Sequence, residues 1–202
     1  MNTNKSEDRS ILKNALSHCT SNPKSLSDNR LQVLLNTFRK QVFHKDVVLL
    51  RQGNRFDKVY FVEQGIIRLF VTTRDGREFN KNFFAEGHFL WPATPATRLY
   101  PSLFSVATLE TACIWVADFA QFQKHLIAFK RWESFALIFT EALADQKFSR
   151  EYEFLMLDAE ERYLSLLQRD PQLVNRVPDY QLASYLGITN VTLSRIRSRC
   201  RF

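Results

Sequence analysis

The spacing of hydrophobic positions changes character twice along the chain. Residues 1–24 are largely polar and predict a frayed or loosely helical lead-in, closed by Pro23. Ser27-Asp28-Asn29 can then cap a helix, because short polar side chains accept bonds from the free N–H groups of a first turn. Its apolar positions, Leu31, Leu34, Leu35 and Phe38, recur at helical spacing. From Val42 the pattern becomes one of short runs: residues 47–50, 59–62, 66–71, 79–85, 104–109 and 112–117. Turn signals separate them, at Gln52-Gly53-Asn54, Gln64-Gly65, Arg74-Asp75-Gly76-Arg77 and Gly87. Asp75-Gly76 supplies the positive φ angles a tight hairpin needs. Short strands with regular turns predict a sandwich, barrel or jelly roll over residues 42–118.

After Asp118 the period is helical. Residues 119–126 read as a short helix. Phe129, Trp132, Phe135, Phe139 and Leu143 follow, then Tyr152, Leu155, Met156 and Ala159, with no Gly or Pro between residues 127 and 170. Steps of three and four place most of these side chains on one stripe. A helix of roughly 30 residues exceeds what packing on one sheet needs, so it predicts a stalk or dimer seam carried by Trp132, Phe135, Phe139 and Leu143. A helix packed only on its own sheet is the other reading. Pro171 and Pro178 flank a linker, and residues 179–202 read as helix, turn, helix. The division is a polar or helical segment (1–26), a β-roll sensor (27–126), a central helix (127–158) and a C-terminal helical unit (159–202). The fold class is α+β.

The C-terminal block carries the most specific spacing. Ala183 is small where two helices would cross, and Gly187 can take the left-handed conformation that ends the first of them. Leu182, Leu186, Ile188, Leu193 and Ile196 fill the space between them, and Thr189 or Asn190 can cap the second. These are the requirements of a helix-turn-helix. Asn190, Val191, Thr192, Ser194, Arg195, Arg197, Ser198 and Arg199 remain outside that core. Recognition helices present N-terminal residues to base edges. Asn190, Val191, Thr192, Ser194 and Arg195 are thus expected to face bases, and Arg197, Arg199 and Arg201 to face phosphate. Arg suits both roles because its planar fork matches guanine and phosphate. A solvated basic helix end favoured by the macrodipole is the bland alternative.

Composition agrees with an anionic partner. The formal net charge is +7, with 28 Lys+Arg against 21 Asp+Glu. No apolar run is long enough to span a bilayer, and the N-terminus lacks a secretory pattern. Cys19, Cys113 and Cys200 form no CxxC pair, which predicts reduced thiols and a cytoplasmic location. An iron–sulfur centre would need four clustered thiolates. The four histidines include no His-x-His or HExxH pair, so no metal site and no cupin-like enzyme is expected.

Together these features resemble the Crp/Fnr family of transcription regulators (cyclic-AMP receptor protein and fumarate-nitrate regulator). The most specific stretches are residues 59–70, VYFVEQGIIRLF, and 182–197. The resemblance implies a bacterial homodimeric regulator with a cyclic-nucleotide-binding-like sensor, a central dimerisation helix and a winged-helix-like DNA reader. It also implies double-stranded DNA and RNA polymerase as partners. Three departures matter. Family members that bind a cyclic nucleotide carry a Gly-Glu pair and an Arg in a phosphate cassette. Here those places fall near Leu90-Trp91 and Ser102, which argues against cyclic AMP or cyclic GMP and leaves any effector unnamed. Phe83, Phe84, Phe89, Trp91, Tyr100 and Phe104 would line that pocket or plug it as core. Family readers commonly have Glu where Val191 stands. Val191 could touch a thymine methyl, so the operator should differ from the usual half-site. Most of the wing that follows the recognition helix in this family is also expected to be missing. A ligand-binding or protein-interaction module that has lost specific DNA reading is the alternative.

Overall fold

The computed structural model describes residues 9–20 and 26–200. Two four-stranded antiparallel sheets form a β-roll. The first has the order β1-β8-β3-β6, from β1 (Arg39–Phe43), β8 (Ala112–Asp118), β3 (Lys58–Gln64) and β6 (Phe89–Leu90). The second has the order β2-β7-β4-β5, from β2 (Val48–Leu50), β7 (Ser105–Thr108), β4 (Ile67–Thr72) and β5 (Glu78–Phe84).

Strand β3 explains the layering. It is buried on both faces, and its side chains alternate between two cores. Tyr60 and Val62 enter the space between the sheets with Leu50, Ile67, Val106 and Ile114. Val59 and Phe61 point the other way, with Trp115 and Ala117 of β8, into a helix-covered core. Burial raises the Tyr60 phenol to about 12, with Asp57 adding to the rise, and its hydroxyl donates to the Leu49 carbonyl at 3.0 Å. Gly65, at φ +96°, turns β3 into β4; a Cβ there would sit 2.8 Å from the Ala112 Cα, so only glycine fits this corner.

Helices α1 (Ser10–Cys19), α2 (Asp28–Thr37) and α4 (Phe119–Ala128) cover the outer face of the first sheet, with the start of α5 (Trp132–Met156). Helix α3 (Pro95–Leu99) opens on a capping box between Thr94 and Thr97. Four helices follow: α6 (Ala159–Arg169), α7 (Pro171–Arg176), α8 (Asp179–Leu186) and α9 (Asn190–Arg199).

Several expectations are corrected. The lead-in is not merely frayed: α1 buries Leu12 and Leu16, one turn apart, in the helix-covered core. Strand β1 was not anticipated, because its side chains are mostly exposed and polar. The central helix spans 25 residues, not 127–158. Asp158 ends its continuation by accepting bonds from the N–H groups of Glu160 and Glu161, while Glu161 reaches back to the Asp158 N–H. This reciprocal cap starts a new helix. Residues 170–178 contain α7, with Pro171 at its first turn. The assigned seam residues face inward. Phe135 is 0% exposed, 5.2 Å from Phe122 and 4.8 Å from Phe139. Trp132 and Phe139 pack on Trp91, and Leu143 faces a cavity in the roll. The exposed apolar residues of α5 include instead Leu137, Phe148, Tyr152 and Leu155, which return to one side.

Candidate nucleic-acid interface and effector cavity

Helix α9 is seated by its apolar stripe. Leu193 and Ile196 are buried among Leu182, Ala183 and Leu186 of α8. Gly187, at φ +69°, ends α8 in the left-handed conformation, and the Phe154 ring of α5 lies over it. Thr189 caps α9, accepting from the Thr192 N–H at 3.1 Å, so Asn190 is free of that task. With Leu193 and Ile196 inside, Asn190, Val191, Ser194, Arg195 and Ser198 form one exposed strip. Val191 is 61% exposed. Arg195 has no carboxylate partner among the described residues. Thr189 sits exposed at the strip's start and Thr192 is half-buried beside it.

Two arginines assigned to phosphate are engaged elsewhere. Arg197 turns back to Asp179 at 2.7 Å and donates to the Val174 carbonyl at 3.1 Å. Its guanidinium also lies 5.8 Å from the Tyr163 ring centre. Arg199 pairs with Glu160 at 2.9 Å. The reason is local: α8 brings Asp179 beside Arg197, and α6 brings Glu160 beside Arg199. Residue 201 lies outside the described residues.

A cavity of about 560 Å³ opens between the roll and α5. Phe83, Phe84, Phe89, Trp91 and Phe104, five of the six candidate rings, line it. Tyr100 does not: it follows α3 and is 66% exposed. The sequence reading missed the other walls. Helix α1 contributes Ala15, His18 and Cys19, and α5 contributes Phe139, Leu143, Gln146 and Lys147. Desolvation raises the Cys19 thiol to about 11, which leaves it a poor nucleophile. Asn82 of β5 and Gln146 of α5 exchange amide hydrogen bonds at 3.1 and 3.2 Å. Lys81 and Lys147 line the cavity beside them. Partial burial, then the charges of Lys81 and Arg150, lower the Lys147 ammonium below the ordinary lysine range.

A profile of the cyclic nucleotide-binding domain family matches residues 40–127. Solved structures extend the likeness over most of the chain. FixK2 from Bradyrhizobium japonicum superposes with a TM-score of 0.70 at 18% identity, covering 80% of this chain and 83% of that one. The c-di-GMP-responsive global regulator CLP of Xanthomonas campestris gives 0.65 at 14% identity, covering 86% and 91%. A mutant of CooA from Carboxydothermus hydrogenoformans gives 0.62 at 20% identity, covering 83% and 78%. The fold is that of the Crp/Fnr regulators. No curated protein matches the chain in sequence.

The cavity and the segment beside it carry little charge. Among the described residues no Asp, Glu or Arg lines the cavity. Leu90 and Trp91 are buried. Arg98 is turned to the Pro92 and Ala93 carbonyls at 3.2 and 2.9 Å. The C-terminal helices are docked on the roll. Asn80 of β5 donates to the Gln181 carbonyl at 3.0 Å, and its N–H donates to the Ser184 hydroxyl at 3.0 Å. Phe83 packs on Tyr185 at 5.3 Å. Arg176 grips Glu86 through two bonds of 2.8 Å and also reaches Glu110. That grip, helped by the Gly65 N–H at 2.7 Å, holds the Glu86 carboxyl at about 2. Among the described residues no helix is long and apolar enough to cross a membrane.

Proposed function

We propose that this protein is a homodimeric, sequence-specific DNA-binding regulator of transcription, acting through RNA polymerase. Helices α8 and α9 are then a helix-turn-helix, and α9 is the helix that enters the major groove. The observation that carries this reading is the strip of Asn190, Val191, Ser194, Arg195 and Ser198, exposed on a helix whose opposite side is anchored by Leu193 and Ile196. It leaves donors, an acceptor and a methyl-bearing side chain on one surface, the inventory for reading base edges. Arg195 is the guanine or phosphate contact; Arg197 and Arg199 are paired with Asp179 and Glu160. Reading two half-sites requires two such helices roughly 34 Å apart, which a dimer joined along α5 can set. The cavity is a sensor pocket, and cyclic AMP and cyclic GMP do not suit it. A cyclic phosphate calls for an arginine, and ribose hydroxyls for a carboxylate; the lining offers neither.

Selection of bound fragments from genomic DNA by purified protein tests the reading, at a fixed moderate salt concentration. A palindromic motif is the expected recovery. Arg195→Ala should then cost about 1–3 kcal/mol at one base pair of each half-site. Equal loss on all sequences would assign Arg195 to phosphate. Recovery of no motif, with or without cell extract, would overturn the proposal.

A further inference from the structure

The cavity walls are apolar, yet its edge is cationic. From the lining and its charges we infer that the site binds a small amphipathic anion, with an apolar body seated in the roll and one carboxylate head held by Lys81 and Lys147. This rests on the sensor reading of the cavity but not on DNA binding.

Size comes first. A cavity of about 560 Å³ falls in the range of roughly 300–1,000 Å³ that encloses a drug-sized ligand. Its walls then select chemistry. Leu69, Phe84, Phe89, Phe104 and Leu143 present carbon to the interior. A polar ring system placed there would lose its water without compensation. The charges sit on one side only. Lys81 leaves β5 and Lys147 leaves α5, and neither has a carboxylate partner among the described residues. Lys147 stands close enough to Lys81 and Arg150 for their charges to disfavour its protonation. Lys81 and Lys147 at one edge of the cavity repel each other, a cost that an anion between them would recover. Asn82 and Gln146, bonded to each other between the lysines, offer amide donors once that pair opens. A single head satisfies this arrangement. The apolar body suits the aromatic walls, and among the described residues no carboxylate lines the cavity to repel the head.

Isothermal titration calorimetry on the full chain, without DNA, tests the inference. Dodecanoate below its micelle concentration is the probe. Dodecanol supplies the same body without charge, and cyclic AMP supplies charge on a polar body. Dodecanoate is expected to bind saturably at one site per chain, and at least about tenfold more tightly than dodecanol. Lys81→Gln with Lys147→Gln should reduce dodecanoate affinity by about the same factor and leave dodecanol binding unchanged. Lys81 is exposed and Lys147 is only partly buried, so the double variant should fold. Leu143→Trp, which fills the cavity, should remove both ligands while the far-ultraviolet circular dichroism spectrum is retained. The inference is overturned if dodecanoate does not bind. It is also overturned if the double variant binds it as the wild type does, or if cyclic AMP binds more tightly. None of these outcomes bears on the genomic selection, so failure of one reading leaves the other standing.

Discussion

Helix α5 has two apolar faces with opposite fates. Along the inner face, Trp132, Phe135 and Phe139 interlock with Phe89, Trp91 and Phe122. Along the outer face, Phe148 and Leu155 are each 75% exposed. A helix apolar on one side needs one partner; a helix apolar on two sides needs two. The roll is the first partner. The outer face spaces Leu137, Phe148, Tyr152 and Leu155 so that they return to one side, as a helix–helix seam requires. Aromatic bulk marks the intramolecular contact, and the sparser stripe is left uncovered by the described residues.

The comparison can be broken from either side. The largest effect should come from the inner face. Phe135→Ala removes a fully buried ring and should cost about 3–5 kcal/mol in urea denaturation. A loss below about 1 kcal/mol would mean the face is not what anchors α5. On the outer face, Phe148→Glu with Leu155→Glu should convert a dimer to a monomer in sedimentation velocity. The fold itself should change by only about 0.5 kcal/mol, as at other exposed positions. A monomeric wild type, or a variant that stays dimeric, would assign the stripe no seam role. Lys130 lies at the turn into α5 with φ 55°, a conformation that suits glycine better than lysine. Lys130→Gly should therefore stabilise the chain by about 0.5–1 kcal/mol, visible as a small rise in melting temperature.

The smallest effect concerns the tether at the far end. The Glu86 carboxyl is held at about 2, against an ordinary value of 4.5. A carboxylate depressed in the folded state stabilises it above the ordinary value, and that contribution fades as pH falls toward 2. The stability difference between wild type and Glu86→Gln should thus be largest above pH 4.5 and shrink between 4.5 and 2. Solvent screening makes it modest, because Glu86 is partly exposed. A pH-independent difference would deny the ion pair its role.

Much of the fold was legible because strands and turns announce themselves locally. The runs at residues 59–62, 66–71, 79–85 and 112–117 match observed strands to within two residues at each end. The α8–α9 pair was legible because its core positions have fixed spacing. What escaped was decided by tertiary contact or by overlapping patterns. Two apolar stripes on α5 merged into one, and the bulkier was taken for the seam. Leu12 and Leu16 carried a helical signal that polar neighbours obscured. Asp158 and Glu161 have the spacing of a reciprocal cap, and that signal was readable. The inward turn of Arg197 was not, because Asp179 and Tyr163 reach it only after folding. Lys81 and Lys147, 66 positions apart by subtraction of their numbers, meet at the cavity only because β5 and α5 lie side by side.

Phe83 belongs to two neighbourhoods. One side of its ring forms part of the cavity wall, and it packs 5.3 Å from Tyr185 at the base of the two terminal helices. Two equilibria that share a ring are linked, and linkage is symmetric. If an occupant of the cavity changes the hold of α8 on β5 by some factor, any partner that takes hold of α8 changes the occupant's affinity by the same factor. A binding curve measured at one end is then also a gauge of events at the other.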